Sequence, residues 1–574
     1  MKRLLCAIGF IVAMSPLMAR DALDFSTLES GKIRRSVDLS AFAPPADAKP
    51  PSHQFEGRLT LSGKPSTRSV VADKDFLRDE DIRASQTFPQ DFDFEFVQRG
   101  DALIPVLRGP IAGTHPWWEF VLEPGKVWDE KDDHGYTRAA IPFAIVQKNA
   151  NCTHNGVLMF LFRDDAVIAN AAVQISSETC QYLQFDLWGS LKATYTAKTV
   201  AGKDAIIARY MSEIENRMPT QSLSVLSAIN GVDVDKLAIG DESAITRHGV
   251  VFKGIHYVST CATRHGDYPY CDVLDVPSFS VAKSVVAGIG MMRMEKLYPG
   301  IKDRKVSDVV RASGCRRDDW RDVSLINLLD MASGHYTDPA YMVDEDSADV
   351  VQFFRPLDNN HKLAFACEVY PRKQAPAERW IYHTADTYLL GVALQTVLRG
   401  QPGHERADVF NDVVDADVFA PLHLSPTTRR IRRSYDSAAQ PFFGWGLTMV
   451  ADDIAKLANF LNVDRGRIDG KPILDQTLFD QAMQRDPAQR GLQVAHLDRY
   501  RYQHGFWARN LQKELGCEKP TWIPFMSGFG GINVVMFPNG ATWYSIADDG
   551  KLASIDFAKP ATDVAKLGGY CAAD

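Results

Sequence analysis

The chain has 574 residues, of which 45% are hydrophobic, 24% charged and 10% aromatic. These proportions are ordinary for a folded protein and exclude a disordered, collagen-like or coiled-coil chain. At roughly 150 residues per domain, the length allows about two to four domains. The net charge is -8, with 64 Lys plus Arg against 72 Asp plus Glu, and no basic block occurs. The composition therefore argues against nucleic acid or an anionic membrane surface as a partner.

The first residues have the pattern of a secretory signal. Lys2 and Arg3 precede an apolar run over 4–14, and small residues follow as far as Ala19. A short positive segment, an apolar stretch and a small residue at the exit are typical of a cleaved signal peptide. The run is shorter than the ~20 residues that a membrane span needs. We therefore predict a signal peptide over 1–19, a periplasmic or secreted protein, and no transmembrane anchor after cleavage.

Cysteine usage agrees with an oxidising compartment. Cys6 belongs to the predicted signal, and eight cysteines remain, an even number that permits a full set of disulfides. None lies in a C-x-x-C pair, which argues against a zinc or thioredoxin-like site. Several buried free thiols are the alternative. The simplest pairing joins neighbours in sequence: Cys152 with Cys180, Cys261 with Cys271, Cys315 with Cys367, and Cys517 with Cys571.

The front half of the chain favours strands. Residues 20–55 end in a proline-rich stretch and predict an extended linker or pro-segment. Residues 56–230 predict a β-rich accessory domain of unknown role, followed by a helix near Lys203–Arg217 that leads to the second half. Alternating or continuous apolar runs predict strands at 57–62, 92–96, 156–162 and 182–188.

From about 235 to 574 the pattern changes. Two strand signals flank Arg247-His248-Gly249, which predicts a tight hairpin. Helical and loop segments continue to about 440, and the last hundred residues return to strands. This order predicts an α/β domain whose sheet is closed by both of its ends.

The chemistry concentrates around Ser280 and Lys283, at the start of an apolar helical run. Positions i and i+3 of a helix share a face, so the lysine amine can approach the serine hydroxyl. A partly desolvated lysine suits the removal of the serine proton, and the backbone N–H groups at a helix start can contribute to an oxyanion hole. A serine that caps a helix below a surface lysine is the structural alternative.

The segment around Ser280 resembles the serine β-lactamase/penicillin-binding-protein superfamily, in particular the branch of class C β-lactamases, D-alanyl-D-alanine carboxypeptidases and related esterases. The resemblance covers about 235–560 and leaves 20–230 unexplained. The matching segments follow in order: 276–286 with Ser-x-x-Lys, 324–334 ending in Ser-Gly, 380–391 in the Tyr-x-Asn region, 444–456 with Ala-x-Asp-x-Ala, and 528–533 where the Lys/His-x-Gly strand is expected.

The resemblance implies a β-lactamase/DD-peptidase-like α/β (α+β) domain, with an antiparallel sheet flanked by helices, after the β-rich N-terminal domain. It also implies roles for individual residues. Ser280 would be the acylated nucleophile, Lys283 its activating partner, and Tyr382 the group that moves protons as base and then acid. A lysine ammonium nearby would hold the pKa of that phenol below its usual value of about 10. The backbone N–H groups of Ser280 and Ile532 would form the oxyanion hole.

Two positions depart from the family pattern, and we assign both to substrate binding. Thr384 replaces an asparagine, and its hydroxyl can still donate to a substrate carbonyl. In Phe529-Gly530-Gly531, an aromatic residue replaces the lysine or histidine that helps to bind a carboxylate in β-lactamases and peptidases. The two glycines permit close approach of the backbone to a substrate. The change argues against a carboxylate-bearing substrate and favours an uncharged ester or amide.

Three other candidates are weaker. His383 could be a second base, and His335 could line the cleft. The acidic stretch 344–349 lacks the central glycine of a calcium loop and predicts a solvated face.

The sequence therefore predicts an exported serine hydrolase that needs no metal and no cofactor and cleaves a small ester or amide through Ser280. The alternatives are a β-lactamase or D-alanyl-D-alanine peptidase and, in another class, a non-catalytic envelope binding protein that retains the fold. The oligomeric state stays open.

Overall fold

The computed structural model describes residues 23–240, 244–548 and 557–571. The predicted signal peptide and Cys6 lie outside these residues. Two large sheets, one from each half of the chain, dominate the fold. The first sheet has 11 strands: β1 Glu56–Ser62, β2 Ser66–Ala72, β3 Phe92–Arg99, β4 Ala102–Pro105, β5 Trp118–Leu122, β6 Gly125–Asp129, β7 Thr137–Gln147, β8 Thr153–Arg163, β9 Ala166–Val167, β10 Asn170–Thr179 and β11 Leu183–Ala197.

The first sheet closes on itself. β7 pairs with β6 along part of one edge and with β8 along the other, so β7, β6, β4, β3, β1, β11, β10 and β8 follow one another in an antiparallel ring. The four predicted strands lie within β1, β3, β8 and β11, which confirms a β-rich front half. Aromatic side chains fill the interior of the closed sheet, where Phe55 packs against Phe96 and Phe160.

β8 explains the continuous apolar run in the sequence, because both of its faces are buried. Leu158 and Phe160 point into the first sheet's own core. The alternate residues Val157, Met159 and Leu161 join a core shared with the second half of the chain. Side chains alternate across a strand, so one run supplies both the interior and the contact between the two halves.

Residues 23–55 differ from the predicted extended linker. They form a helix, Phe25–Ser30, and a 3₁₀ turn, Leu39–Phe42. Leu23, Leu28 and Phe42 are each 1% exposed and join the shared core. A few separated apolar residues therefore fix this segment to the core. The prediction of an extended linker depended on the proline-rich end and did not take these residues into account.

The second sheet has nine strands and includes both ends of the second half, as predicted. Ile245–Phe252 (β13) pairs with Thr542–Ala547 (β20), which joins the N-terminal hairpin to the C-terminal strands. All pairings in this sheet are antiparallel except that of Thr220–Ser222 (β12) with Ile255–Val258 (β14). The strands are β12 Thr220–Ser222, β13 Ile245–Phe252, β14 Ile255–Val258, β15 Leu492–Val494, β16 Leu497–Gln503, β17 Phe506–Asn510, β18 Trp522–Gly528, β19 Ile532–Met536 and β20 Thr542–Ala547.

Two boundaries differ from the sequence-based prediction. β12 already belongs to the second sheet, so the change of sheet follows the helix Lys203–Glu215 instead of falling near 230–235. β12 is fully exposed and polar, which removes the apolar signal of a strand. The hairpin between β13 and β14 turns at Lys253-Gly254, not at Arg247-His248-Gly249. Lys253 and Gly254 both have positive φ, which a two-residue turn of this kind requires.

Helices cover the second sheet, as expected for this fold class. Two π-helical segments occur, Lys283–Gly288 and Val409–Phe419. No helix in the described ranges is long and apolar enough to cross a membrane. Beyond those already given, the α-helices are Asp79–Ser85, Ser224–Asn230, Ile289–Leu297, Val306–Val309, Leu325–Leu329, Val351–Phe354, Asn359–Glu368, Thr384–Arg399, Ala451–Asn462, Gln476–Ala482, Gln512–Leu515 and Ala558–Val564.

The four predicted disulfides are confirmed. Cys152 joins Cys180, Cys261 joins Cys271, Cys315 joins Cys367, and Cys517 joins Cys571. Each bond closes a loop within one half of the chain, so the disulfides stabilise the two halves separately.

Removal of the Cys315–Cys367 disulfide should destabilise the protein more than removal of Cys261–Cys271. The first bond spans 52 residues and the second 10. Constraint of the unfolded chain grows with loop length, which gives losses of about 4 and about 3 kcal/mol, respectively. Thermal and urea unfolding of the two double Cys→Ser variants measures the difference, with the two single Cys→Ser variants of each pair as controls. Equal losses from both double variants would contradict the loop-length argument.

Candidate active site

Ser280 lies in a tight turn between a short strand and a helix. The strand Val276–Pro277 pairs with Thr448–Met449, and the 3₁₀ turn Phe279–Val281 follows directly. Phe279 has a φ of 39°, a left-handed conformation that is rare for a residue with a large side chain. Such strained backbone persists only where its surroundings hold it, and it concentrates at functional sites.

The Lys283 amine points at the Ser280 hydroxyl. Its Nζ donates to Ser280 Oγ at 3.0 Å, to Thr384 Oγ1 at 2.8 Å and to the Gly444 carbonyl at 3.1 Å. The residue is 2% exposed, and this burial lowers the pKa of the amine to about 8, although the nearby Glu345 carboxylate opposes the shift. A large neutral fraction near pH 8 makes Lys283 able to accept the Ser280 proton.

Tyr382 lies close to Ser280, whose hydroxyl acts to lower the pKa of the phenol. Its ring is 4.9 Å from Lys283 Nζ and stacks on Trp507. The expectation of a lowered phenol pKa is wrong. Burial raises the pKa of Tyr382 well above its usual value, and the Glu345 carboxylate raises it further. The hydroxyl therefore stays protonated at neutral pH, which suits a proton donor better than an initial base.

Thr384 begins a 16-residue helix and links Lys283 to a carboxylate that the sequence did not reveal. Its hydroxyl accepts from Lys283 and donates to Glu345, and its backbone N–H donates to Glu345 Oε2 at 2.8 Å. The single hydroxyl proton is engaged with Glu345, so in this arrangement Thr384 supports the lysine instead of donating to a substrate. Burial raises the pKa of Glu345, and Lys283 acts in the opposite direction.

The acidic stretch 344–349 is therefore not simply a solvated face. Asp344 is 3% exposed, accepts backbone N–H groups from Thr337 and Asp338, and lies 3.0 Å from His383 Nε2. The Asp344 carboxylate lies inside the protein, because its oxygens accept hydrogen bonds from loop N–H groups that would otherwise have no partner. Charge density alone gives no sign of this inward orientation.

The two histidine candidates occupy packed positions. His383 is 1% exposed, stacks on Tyr370 at 4.0 Å and pairs with Asp344. His335 is 2% exposed and stacks on Trp320 at 4.0 Å, and burial lowers its pKa to about 4. Neither contact involves Ser280, so the structure does not bring these side chains together with the Ser280–Lys283 pair.

The third motif forms a hairpin turn between β18 and β19. Gly528, the last residue of β18, approaches the Ser280 turn so closely that a β-carbon there would lie 2.8 Å from the Ser278 carbonyl and 3.3 Å from Ser280 N. Phe529, Gly530 and Gly531 make the turn, with both glycines at positive φ. Ile532 begins β19 opposite Gly528 and is fully buried. The backbone directly beside the Ser280 N–H is thus the end of β18.

Phe529 belongs to an aromatic cluster that both halves of the chain build. Its ring lies 5.6 Å from Phe279, 5.9 Å from Phe76 and 6.1 Å from Tyr182. Phe76 and Tyr182 come from the first half and stack on each other at 5.4 Å. Phe76 is 52% exposed, so one side of the cluster meets solvent next to the residue that precedes the nucleophile.

Residues 276–543 match the family model described as Beta-lactamase. The match identifies a Beta-lactamase domain in this part of the chain, which is just under half of its length. None of the curated proteins matches the chain. The beta-lactamase-family region carries the Ser-Lys pair, Tyr382 and the third motif, and it has the serine hydrolase fold. Among the described residues, no three His, Cys, Asp or Glu side chains cluster as a metal ion would require.

Several solved structures are similar to the chain at low sequence identity. A penicillin binding protein from Bacillus halodurans is 16% identical, over 61% of this chain and 99% of that one, with a TM-score of 0.40. A D-stereospecific amidohydrolase from Streptomyces sp. is 13% identical, over 60% and 98%, with a TM-score of 0.41. EstCE1, a hydrolase with promiscuous acyltransferase activity, is 16% identical, over 63% and 100%, with a TM-score of 0.42.

Replacement Glu345→Gln should move the pH dependence of Ser280 labelling in the beta-lactamase-family region. Glu345 raises the pKa of Lys283, so a neutral amide should let it fall below about 8. The labelling rate needs the neutral amine; it should rise with pH through that pKa, and its midpoint should therefore move to lower pH. Stopped-time labelling with a fluorophosphonate from pH 5 to 10 measures the midpoint.

The control for this prediction is Asp346→Asn, which removes a neighbouring acidic group that is exposed. Its midpoint should equal that of the unaltered protein. A midpoint that stays in place in Glu345→Gln, or moves equally in both variants, would show that Glu345 does not set the charge state of Lys283.

Proposed function

We propose that the protein is an exported hydrolase that cleaves an uncharged carboxylic ester through an acyl-enzyme on Ser280. The observation that carries the proposal is the 3.0 Å contact between Ser280 Oγ and the buried amine of Lys283, whose pKa is lowered to about 8. A serine hydroxyl needs such a base to act as a nucleophile. A lysine on the surface would be fully charged and unable to accept the proton.

In the first step, Ser280 Oγ bonds to the ester carbonyl carbon as its proton passes to the neutral Lys283 amine. Backbone N–H groups then stabilise the oxyanion. We assign one donor to Ser280 and place the second in the turn from Gly528 to Ile532, with the end of β18 favoured over Ile532 by its position beside Ser280 N. The alcohol leaves with a proton delivered through Tyr382. Water then attacks the acyl group by the reverse proton path and restores Ser280.

The aromatic cluster supports a substrate that carries an apolar acyl or alcohol group, which the cluster would contact. Phe529 cannot pair with a substrate carboxylate, and the side chains around it are aromatic. An ester is favoured over an amide because an alkoxide leaves with less help from an acid than an amine does. The raised pKa of Tyr382 makes its hydroxyl a weak acid, which agrees with that lower demand.

The other candidates lack such support. A β-lactamase or D-alanyl-D-alanine peptidase binds a carboxylate, and Phe529 offers no cation for one. A non-catalytic envelope protein would not require a desolvated amine held on a serine hydroxyl. Export is supported by the four disulfides, which persist in oxidising compartments. The signal peptide, the periplasmic or secreted location and a small-molecule partner remain parts of the proposal.

The decisive experiment measures intact mass after incubation with a fluorophosphonate and, separately, with a fluorescent penicillin. Ser280 should be labelled by the fluorophosphonate and not by the penicillin, and Ser280→Ala should lose labelling and p-nitrophenyl ester hydrolysis together. Labelling by penicillin would favour the β-lactamase or peptidase. No label on folded protein would contradict an enzyme, and full hydrolysis by Ser280→Ala would exclude this nucleophile.

The apolar specificity makes a separate prediction for Phe76→Ala. Loss of one aromatic contact of about 1 kcal/mol should raise KM for a phenyl or long-chain ester about fivefold and leave KM for an acetate ester unchanged. Leu107→Ala, a 45% exposed residue of the first half outside the cluster, serves as the control. Equal KM changes for both esters would contradict a role of the cluster in substrate selection.

A further inference from the structure

An amide side chain from outside the beta-lactamase-family region hydrogen-bonds directly to the turn that carries Ser280. Asn151 precedes β8 in the first half of the chain and is 0% exposed. Its Oδ1 accepts the Phe279 N–H at 2.8 Å, the Ser278 hydroxyl at 3.2 Å and the Gly446 N–H at 3.1 Å. Its Nδ2 donates to the Leu447 carbonyl at 3.1 Å.

One of these four bonds meets the turn at its strained residue, one meets the preceding Ser278, and two reach the neighbouring segment at Gly446 and Leu447. Phe279, with its positive φ, is the residue immediately before Ser280, so its orientation sets where Ser280 Oγ and Ser280 N point. The Ser278 hydroxyl also accepts the Leu447 N–H at 3.2 Å, which joins the turn to the neighbouring segment through the same centre.

Asn151 is itself fixed in position by the first half. The adjacent Cys152 is bonded to Cys180, just beyond β10, and the Cys180 N–H donates to Asp548 Oδ2 at 2.8 Å. The outer face of β8 is buried in the shared core. The disulfide and the packing of β8 therefore hold the Asn151 amide in a fixed position against the turn.

We infer that Asn151 is a positioning residue for the hydrolase, so the first half of the chain is part of the catalytic unit and not a separate accessory. The inference rests on the proposed role of Ser280. Asn151 stabilises the strained turn that directs the nucleophile toward Lys283 and keeps Ser280 N facing the end of β18. It touches neither substrate nor reacting atoms, and it acts through Phe279 and Ser278.

Asn155 provides a matched control. It is 1% exposed, lies four residues further along, and makes the same kind of contact between the halves: Nδ2 donates to the Asp275 carbonyl at 2.7 Å, and Oδ1 accepts the Asp275 N–H at 3.0 Å. These bonds reach the chain five residues before Ser280, outside the strained turn. Loss of either asparagine removes buried bonds between the halves, and only loss of Asn151 frees Phe279.

The test compares full-length Asn151→Ala and Asn155→Ala with the unaltered protein. Both should show a lower Tm. Asn151→Ala should lower kcat and the rate of fluorophosphonate labelling about 100-fold, the size expected for a misplaced catalytic group. Its KM should change by less than about twofold, because Asn151 does not contact the substrate. Asn155→Ala should retain both rates within about threefold.

Conservative variants keep the test decisive where the alanine variant does not fold. Asn151→Asp keeps the three accepted bonds and should label faster than Asn151→Ala. It loses the bond to Leu447, so it should label more slowly than Asn155→Asp. Labelling of Asn151→Ala or Asn151→Asp at the rate of its Asn155 counterpart would overturn the positioning role. If the unaltered protein is not labelled at all, the proposed function itself fails, which is a distinct outcome.

Discussion

The burial of the outer face of β8 against the second half of the chain is the contact on which the site depends. Val157, Met159 and Leu161 are each 0% exposed, and a buried aliphatic side chain contributes roughly 1.5–3 kcal/mol. Apolar packing holds two surfaces together without fixing their exact alignment. Directional bonds from Asn151 and Asn155 add that alignment, because amide groups accept and donate only along defined directions.

Burial and charge have opposite effects on the pKa of Lys283. Burial lowers this pKa and favours the neutral amine, whereas the Glu345 carboxylate, linked to Lys283 through the hydroxyl of Thr384, raises it. A lysine with no such carboxylate would be neutral at lower pH and a weaker base. The same carboxylate and the same burial keep the Tyr382 phenol protonated. The same surroundings thus let Lys283 become neutral near pH 8 and keep Tyr382 protonated.

Much of the fold and the reactive pair could be predicted because their signals are local. Strand alternation, the three-residue spacing of Ser280 and Lys283, and disulfides between successive cysteines all depend on near neighbours in the chain. Glu345 and Asn151 could not be found this way, because Glu345 contacts Thr384 across 39 residues and Asn151 contacts Phe279 across 128, and neither leaves a periodic pattern. The structure of residues 23–55 differs from the prediction for the same reason, since their few apolar side chains pack on residues that are distant in sequence.

The close approach of Gly528 separates two aspects of recognition. Where β18 passes Ser280, there is room for main chain only, so a carbonyl bound there would meet peptide groups that are the same whatever side chains surround them. Under the proposed function, the choice between substrates rests on the ring of Phe529, one residue further on. A substitution at the turn would then change the substrate preference and leave the main chain beside Ser280 in place.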